Sequence, residues 1–251
     1  MKIIKIGGSL ITKKSGFAEA DRETILSISD VIADVWKEGM HELIVVHGAG
    51  SFGHPVVANF KINNGIRTSE EKRAFALTHM MCSQLSQIFV DGLIEKNVPA
   101  ISIPPISLGF QRDKKLLSFN SDIILRLIKS EFLPVLYGDM LLDERLGGSV
   151  CSGDQIVSYL SKYADEIIYA TDVDGILVAK KLVDKITRDN LDDVLKHVGG
   201  SSATDVTGGM RGKLHEIISA GKKAYIVNGR YPERLKALLK GKRTICTEII
   251  P

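Results

Sequence analysis

The sequence has few cysteines: Cys82, Cys151 and Cys246 are the only three in 251 residues. An odd number placed far apart fits neither a disulfide framework nor a thiolate metal cluster, and suits a reducing compartment, the cytoplasm. Charge of one sign is scarce too. Thirty-three Lys and Arg against thirty Asp and Glu leave +3, too little for the electrostatic footprint of a general nucleic-acid binder. No stretch reaches the ~20 apolar residues of a membrane-spanning helix, and Met1-Lys2-Ile3-Ile4-Lys5-Ile6 enters a strand-like run without the apolar region of a secretion signal. Neither nucleic acid nor membrane is therefore expected as a partner. Linkers rich in Pro, Gly or Ser, internal repeats and low-complexity runs are absent as well. What is present is apolar content of 44% with 25% charged residues, which excludes global disorder and suffices for one large α/β domain or two small ones sharing a core.

The apolar runs Ile3–Ile6, Leu43–Val46, Ala100–Ile103, Pro134–Tyr137, Ile167–Ala170 and Ala224–Val227 are short and continuous, as in strands covered on both faces. Amphipathic stretches near 21–38, 69–96, 120–130, 153–163 and 210–221 supply the crossovers that parallel strands require. Met140–Val150 breaks the alternation, because Asp143-Glu144-Arg145-Leu146-Gly147-Gly148 is a turn-rich segment suited to a hairpin. A lobe boundary just after it gives 1–150 and 151–251, expected as two lobes on one continuous sheet within a single 1–251 domain.

Lys5-Ile6-Gly7-Gly8-Ser9 ends the first strand, where open α/β sheets place ligands. Its glycines allow close backbone approach to phosphate and Lys5 adds a cation; a tight turn with a solvated lysine is the competing reading. His47-Gly48-Ala49-Gly50-Ser51-Phe52-Gly53-His54 forms a second backbone-donor loop, with a helix expected near it. His47, closing an apolar strand, reads more readily as a core histidine than as a ligand; His54, at the far end, is the better candidate. Ser152-Gly153-Asp154 precedes a helical run that Ser152 or Asp154 could cap. Thr171-Asp172-Val173-Asp174-Gly175 offers paired acids for a ribose or metal, or an ordinary turn. Asp205-Val206-Thr207-Gly208-Gly209-Met210-Arg211-Gly212-Lys213 leads into a helix, as a phosphate site at a helix N-terminus would. Such segments at strand and helix ends, with lysines in both halves, favour nucleotide phosphoryl transfer, which needs cations and backbone dipoles more than covalent help.

In this order the motifs resemble the amino-acid kinase superfamily over essentially the whole chain. The Ser-Phe-Gly-His portion is similar to the isopentenyl phosphate kinases within it. The resemblance implies an α/β fold, a three-layer αβα sandwich around an open, mainly parallel sheet. It also implies ATP with Mg²⁺ as cofactors, isopentenyl phosphate as acceptor, a homodimer packed through helices of the N-terminal half, and division into an acceptor-binding and dimerisation lobe (1–150) and a nucleotide-binding lobe (151–251). Lys5, Lys14, Asp154 and Lys213 would be the catalytic set, Lys14 stabilising the transition state and Asp154 orienting Lys5 and Lys213. Ala49, His54 and Gly153 would meet the acceptor, and His54 would donate to its phosphate. Lys5, Gly7, Gly8, Ser9, Gly50, Asp172, Gly175, Gly209 and Lys213 would lie on ATP. No protein metal ligand is assigned, since Asp174 would serve Mg²⁺ only indirectly, and Lys13 is read as solvated.

A phosphate acceptor, with a second pKa of ~6, is a competent nucleophile without a strong base, so the problem to be solved is repulsion between two anions. Three lysines, a helix N-terminus and Mg²⁺ offset it. The rival readings are a sibling kinase for another small phosphate or phosphonate, such as a fosfomycin kinase, and a nucleotide-binding protein without turnover. For a hydrocarbon tail, the expected wall is Ala74–Cys82, with Ala74, Leu77 and Met81 on one helix face, Phe75, Thr78 and Cys82 on the next, and Phe75 as the stop at the pocket's end. Packing in the core or an interface is the alternative. Cys151 reads as a small packing residue rather than a nucleophile.

Overall fold

The computed structural model describes residues 1–13, 16–197 and 209–251. The chain opens with β1 (Lys2–Ile6), α1 (Gly8–Ile11), α2 (Arg22–Lys37), β2 (Leu43–His47), α3 (Gly50–Phe60), the long α4 (Ser69–Ile94) and β3 (Ala100–Ser102). Next come β4 (Gly109–Arg112), β5 (Lys115–Phe119), α5 (Asp122–Lys129), β6 (Leu133–Tyr137), β7 (Asp139–Asp143) and β8 (Gly147–Cys151). The rest holds α6 (Gly153–Leu160), β9 (Glu166–Thr171), the two-residue strands β10 (Leu177–Val178), β11 (Lys181–Leu182) and β12 (Lys185–Ile186), α7 (Leu191–His197), α8 (Gly209–Ser219), β13 (Lys223–Asn228), α9 (Pro232–Leu239) and β14 (Thr247–Ile249).

The main sheet runs β12-β14-β13-β9-β1-β2-β6-β3, and the pairs from β13 to β3 are all parallel, while β13 and β14 are antiparallel. Every apolar run expected as a strand is one, and the continuous burial of β2 and β6 shows why. Alternate residues feed two cores. Ile4, Ile6, Val45 and Ile168 pack against α2, α4 and α9 on one face. Ile3, Ile44, Val46 and Ile167 pack against α5, α6 and α8 on the other. That is the three-layer αβα sandwich implied by the family resemblance, built on the buried, largely parallel sheet expected from the alternation of strands and helices.

Local chemistry sets the helix starts. Asp21 accepts the Thr24 amide at 3.1 Å to begin α2. Thr68 and Glu71 form a reciprocal capping box at the start of α4, with Glu71 N to Thr68 Oγ1 at 3.1 Å and Thr68 N to Glu71 Oε2 at 2.8 Å. The inner face of α4 includes most of the residues proposed for the pocket wall. Ala74, Thr78, Met81, Cys82 and Leu85 are buried, but Leu77 is 38% exposed, because α4 meets the sheet and α2 and α3 through a stripe that leaves Leu77 on its outer side. Among the described residues no helix is long and apolar enough to cross a membrane.

A second, four-stranded sheet, β5-β4-β7-β8, rises beside the first. Its β7–β8 hairpin was expected, and it turns over Asp143. This carboxylate accepts from the amides of Asp113 (3.2 Å), Lys114 (2.8 Å), Arg145 (3.0 Å) and Leu146 (3.0 Å) and from Ser149 Oγ (2.8 Å). Burial works to raise its pKa, and the amide donors of Lys114, Leu146 and Arg145 with the Ser149 hydroxyl overcome this, holding it at about 2. An unfolded Asp titrates near ~3.9. The folded value is the lower, so the stabilisation is complete above that unfolded value and is lost as pH falls through the folded one. Asp143→Asn should therefore cost about 2 kcal/mol in denaturant unfolding at neutral pH, with the gap to the parent protein closing as pH is lowered toward 2; a gap independent of pH would contradict the assignment.

Candidate active site

The register aligns four neighbouring strand ends. Ile6 lies beside Ala170 and His47, and His47 beside Tyr137, so the loops after β9, β1, β2 and β6 open on one edge of the sheet. At that edge the first two glycine motifs press together backbone to backbone. A Cβ on Gly8 would collide with Gly50, lying 2.8 Å from its Cα, and one on Gly48 would lie 2.7 Å from the Gly8 amide nitrogen. Larger residues would force the two loops apart. Gly50 also takes φ +50°, a left-handed conformation that glycine accepts at least cost.

Thr12, 3% exposed, locks this contact. Its hydroxyl donates to Gly8 O at 2.8 Å and accepts from Ser51 N at 3.1 Å. Pro55, inside α3, has no amide to give to Ser51 O four residues back, and that carbonyl accepts from Ala18 N at 3.2 Å instead. That bond fastens Ala18 to the first turn of α3, and Lys13 N donates to Glu19 O at 2.9 Å. Lys13 itself is half exposed and pairs with Glu19 at 2.6 Å. Lys14 lies outside the described residues. Thr12 was not singled out from the sequence, where a threonine after an apolar run carries no distinguishing signal.

Lys5 points to the opposite face from Ile4 and Ile6 and is 5% exposed, which excludes the solvated alternative. Its Nζ lies 3.0 Å from Asp154 Oδ1 on the first turn of α6. Ser152 is the cap of that helix: its Oγ accepts from Gln155 N at 3.1 Å, and Gln155 Oε1 accepts from Ser152 N at 3.1 Å. The cap therefore accounts for Ser152 and leaves Asp154 to Lys5. Gly153 approaches the end of β2, where a Cβ would lie 3.2 Å from His47 O. Ser9 is half-buried in α1, and His54 is exposed on α3 beside the buried Gly53.

His47 is fully buried; its Nδ1 donates to Gly48 O at 3.0 Å and its ring stacks on Tyr137 at 5.6 Å. Burial lowers its pKa to about 4, so the imidazole is neutral, and its Nε2 has no partner among the described residues. It is a core histidine, satisfied on one nitrogen. Cys151 and Cys82 are buried, and burial pushes both thiols up, consistent with Cys151 as packing.

On the other side of β1, Thr171 closes β9. Asp172 follows it, half-buried. Asp174 is held by Asn228 Nδ2 at 3.0 Å and Arg234 at 2.8 Å, the Asn228 bond being the foremost cause that keeps its carboxyl below the usual range. Gly175 is pressed against Thr247 and Leu182, where a Cβ would lie 2.7 Å from Leu182 Cδ1. Gly209 begins α8, whose Leu214 and Ile217 are buried beside α6. The side chain of Lys213 and residues 205–208 of the last motif lie outside the described residues.

His79 on α4 and Asp139 at the start of β7 complete the region, and neither was singled out from the sequence. The Asp139 carboxylate is buried and receives His79 Nδ1 at 3.0 and 2.9 Å and Met140 N at 2.8 Å. Sixty residues separate the pair, so no spacing rule could join them.

Residues 1–228 match the family model described as the amino acid kinase family. An isopentenyl phosphate kinase of Methanocaldococcus jannaschii is 35% identical over 250 residues, covering 95% of each chain. One of Methanothermobacter thermautotrophicus is 34% identical over 268 residues, covering 99% of this chain and 98% of that one. An X-ray structure of isopentenyl phosphate kinase superposes with a TM-score of 0.81 at 30% identity, covering 99% of this chain and 100% of that one. Identity at that level, spread along nearly all of the sequence instead of being confined to the glycine motifs, means that the chain belongs to the amino acid kinase family and, within it, to the isopentenyl phosphate kinases.

Proposed function

We propose that this protein transfers the γ-phosphoryl group of ATP to isopentenyl phosphate, giving isopentenyl diphosphate and ADP. The observation that carries the reading is the relation to isopentenyl phosphate kinases along nearly all of the chain. An acceptor phosphate oxygen attacks the γ-phosphorus, and the bond to the β–γ bridging oxygen breaks, leaving with ADP. The acceptor is already anionic near neutral pH, so no general base is required. Asp154 is a poor candidate for one, since its carboxylate is engaged by Lys5 at 3.0 Å; its role is to hold that ammonium in place.

In this reading residues 1–150 form the acceptor-binding and dimerisation lobe, with Ala49, His54 and Gly153 at the acceptor phosphate. Residues 151–251 form the nucleotide lobe. ATP lies along Gly7, Gly8, Ser9, Gly50, Asp172, Gly175 and Gly209, with Lys5 and Lys213 on its phosphates and Lys14 on the moving group. The protein works as a cytoplasmic homodimer. Among the described residues no group of three His, Cys, Asp or Glu comes together to hold a metal, and Asp174 is taken by Arg234 and Asn228. With Asp174 engaged in this way, Mg²⁺ would be held by the nucleotide's phosphates and water, where it would neutralise charge on the transferring group.

The first test is ADP release, expected with isopentenyl phosphate and absent without it. Release only with a different small phosphate or phosphonate would favour a sibling kinase, and binding without release a non-catalytic protein. In the same assay, His54→Ala should raise KM for isopentenyl phosphate roughly ten- to a hundredfold, the worth of a charge-assisted bond, and leave that for ATP nearly unchanged. Equal losses for both substrates would remove His54 from the acceptor site.

Lys14→Ala should lower kcat far more than either KM, because a cation aimed at the transferring group acts in the transition state. Lys13→Ala, which removes the exposed partner of Glu19, is the control and should be nearly silent. Greater damage from the Lys13 change would move the functional lysine by one residue.

Phe75 is half-buried, and its ring edge reaches β8, where a Cβ on Gly148 would lie 2.8 Å from Phe75 Cε2. If this ring ends the tail pocket, Phe75→Ala should improve kcat/KM for ten-carbon geranyl phosphate relative to isopentenyl phosphate. An unchanged ratio in a folded variant would leave Phe75 as packing between α4 and β8.

A further inference from the structure

A buried carboxylate stands one residue beyond the turn that packs on the glycine loops assigned to the acceptor phosphate. Asp139 is 2% exposed. It directly follows Gly138, whose amide donates to His47 O at 2.9 Å. A Cβ on Gly138 would lie 3.3 Å from Gly153 N and 3.7 Å from Ala49 N, so the residue before Asp139 touches both backbone segments assigned to the acceptor phosphate. An uncompensated negative charge here would oppose the acceptor across a poorly screened interior.

The titratable groups facing Asp139 come from three elements: Cys82 and His79 from α4, Tyr137 from β6 and Cys151 from β8. Both thiols and the phenol are driven up by burial and stay neutral. The imidazole of His79 differs: it is 30% exposed and turns Nδ1 onto both carboxylate oxygens, at 3.0 and 2.9 Å.

We propose that His79 is a positioning residue that neutralises Asp139, so that Asp139 can fix the Gly138 corner against Ala49 and Gly153 without presenting net negative charge to the acceptor phosphate. The inference rests on the reading that the acceptor is a phosphate bound at Ala49, His54 and Gly153. It departs from an ordinary structural ion pair in one respect: what matters to the acceptor is the balance of charge, and two neutral hydrogen-bonding groups should serve as well as two opposite charges.

The test compares His79→Gln, Asp139→Asn and the double variant in steady-state kinetics with isopentenyl phosphate and ATP varied separately, and in unfolding against pH. His79→Gln keeps a side-chain amide donor but leaves Asp139 without a cation, and should raise acceptor KM roughly five- to thirtyfold, with ATP KM within about twofold. Asp139→Asn and the double variant carry no anion and should raise acceptor KM clearly less than His79→Gln does, with ATP KM again within about twofold. Burial favours the neutral form of Asp139, so the folded pKa in His79→Gln stands above the unfolded value of ~3.9. Relative to the double variant, His79→Gln should therefore lose stability as pH rises from about 4. Parallel losses in both KM values, or an Asp139→Asn variant as impaired as His79→Gln, would overturn the proposal. If the parent protein does not turn over isopentenyl phosphate, the acceptor reading fails on its own, and the unfolding comparison still decides whether His79 neutralises Asp139. A flat comparison would reject the pairing outright.

Discussion

An ammonium group buried on a central strand of a parallel sheet must have a carboxylate beside it, and much of this molecule's arrangement follows from meeting that need for Lys5. Asp154 can stand 3.0 Å away only because α6 starts directly over the end of β1. That start depends on the Ser152–Gln155 capping box and on a glycine at 153 narrow enough to sit against His47 O. Lys5 is buried and Asp154 only slightly exposed, so losing the carboxylate would leave a poorly solvated ammonium in the sheet.

Much of this was legible in the sequence because the features concerned are local. Strands covered on both faces read as continuous apolar runs, and β1, β2, β6, β9 and β13 were plain on that ground. Glycine motifs mark where backbone meets backbone, and Gly8, Gly48 and Gly50 do meet. The helix α9 was not anticipated although its signals were present: Pro232 at the first turn, with Leu235, Leu238 and Leu239 at helical spacing. The hairpin of β4 and β5 was hidden by its composition. Gln111 is fully buried there, a polar residue where the pattern asks for an apolar one, held by Ser149 Oγ at 2.9 Å and by Lys114 O at 3.1 Å.

What the sequence could not disclose is long-range and polar. Asp143 reads as a turn residue, and His79 as a stray imidazole in an apolar helix. Each acquires meaning only when strands distant in sequence become neighbours, since hydrogen bonding carries no periodicity. The placing of Leu77 depends on a related fact. An apolar residue at helical spacing belongs to a stripe, but which stripe faces inward is decided by where α2, α3 and the sheet stand around α4.

β1 pairs with β2 on one side and with β9 on the other, so the strand that carries Lys5 belongs equally to both parts of the chain. Dividing the polypeptide between β8 and α6 would strip β1 of its β9 neighbour and bare a row of unpaired backbone donors and acceptors along a flat apolar strand. Such an edge is a template for pairing with other chains. Neither fragment would be expected to survive alone as a soluble module, and a gene rearrangement separating the two would select for aggregation before it could select for any new activity.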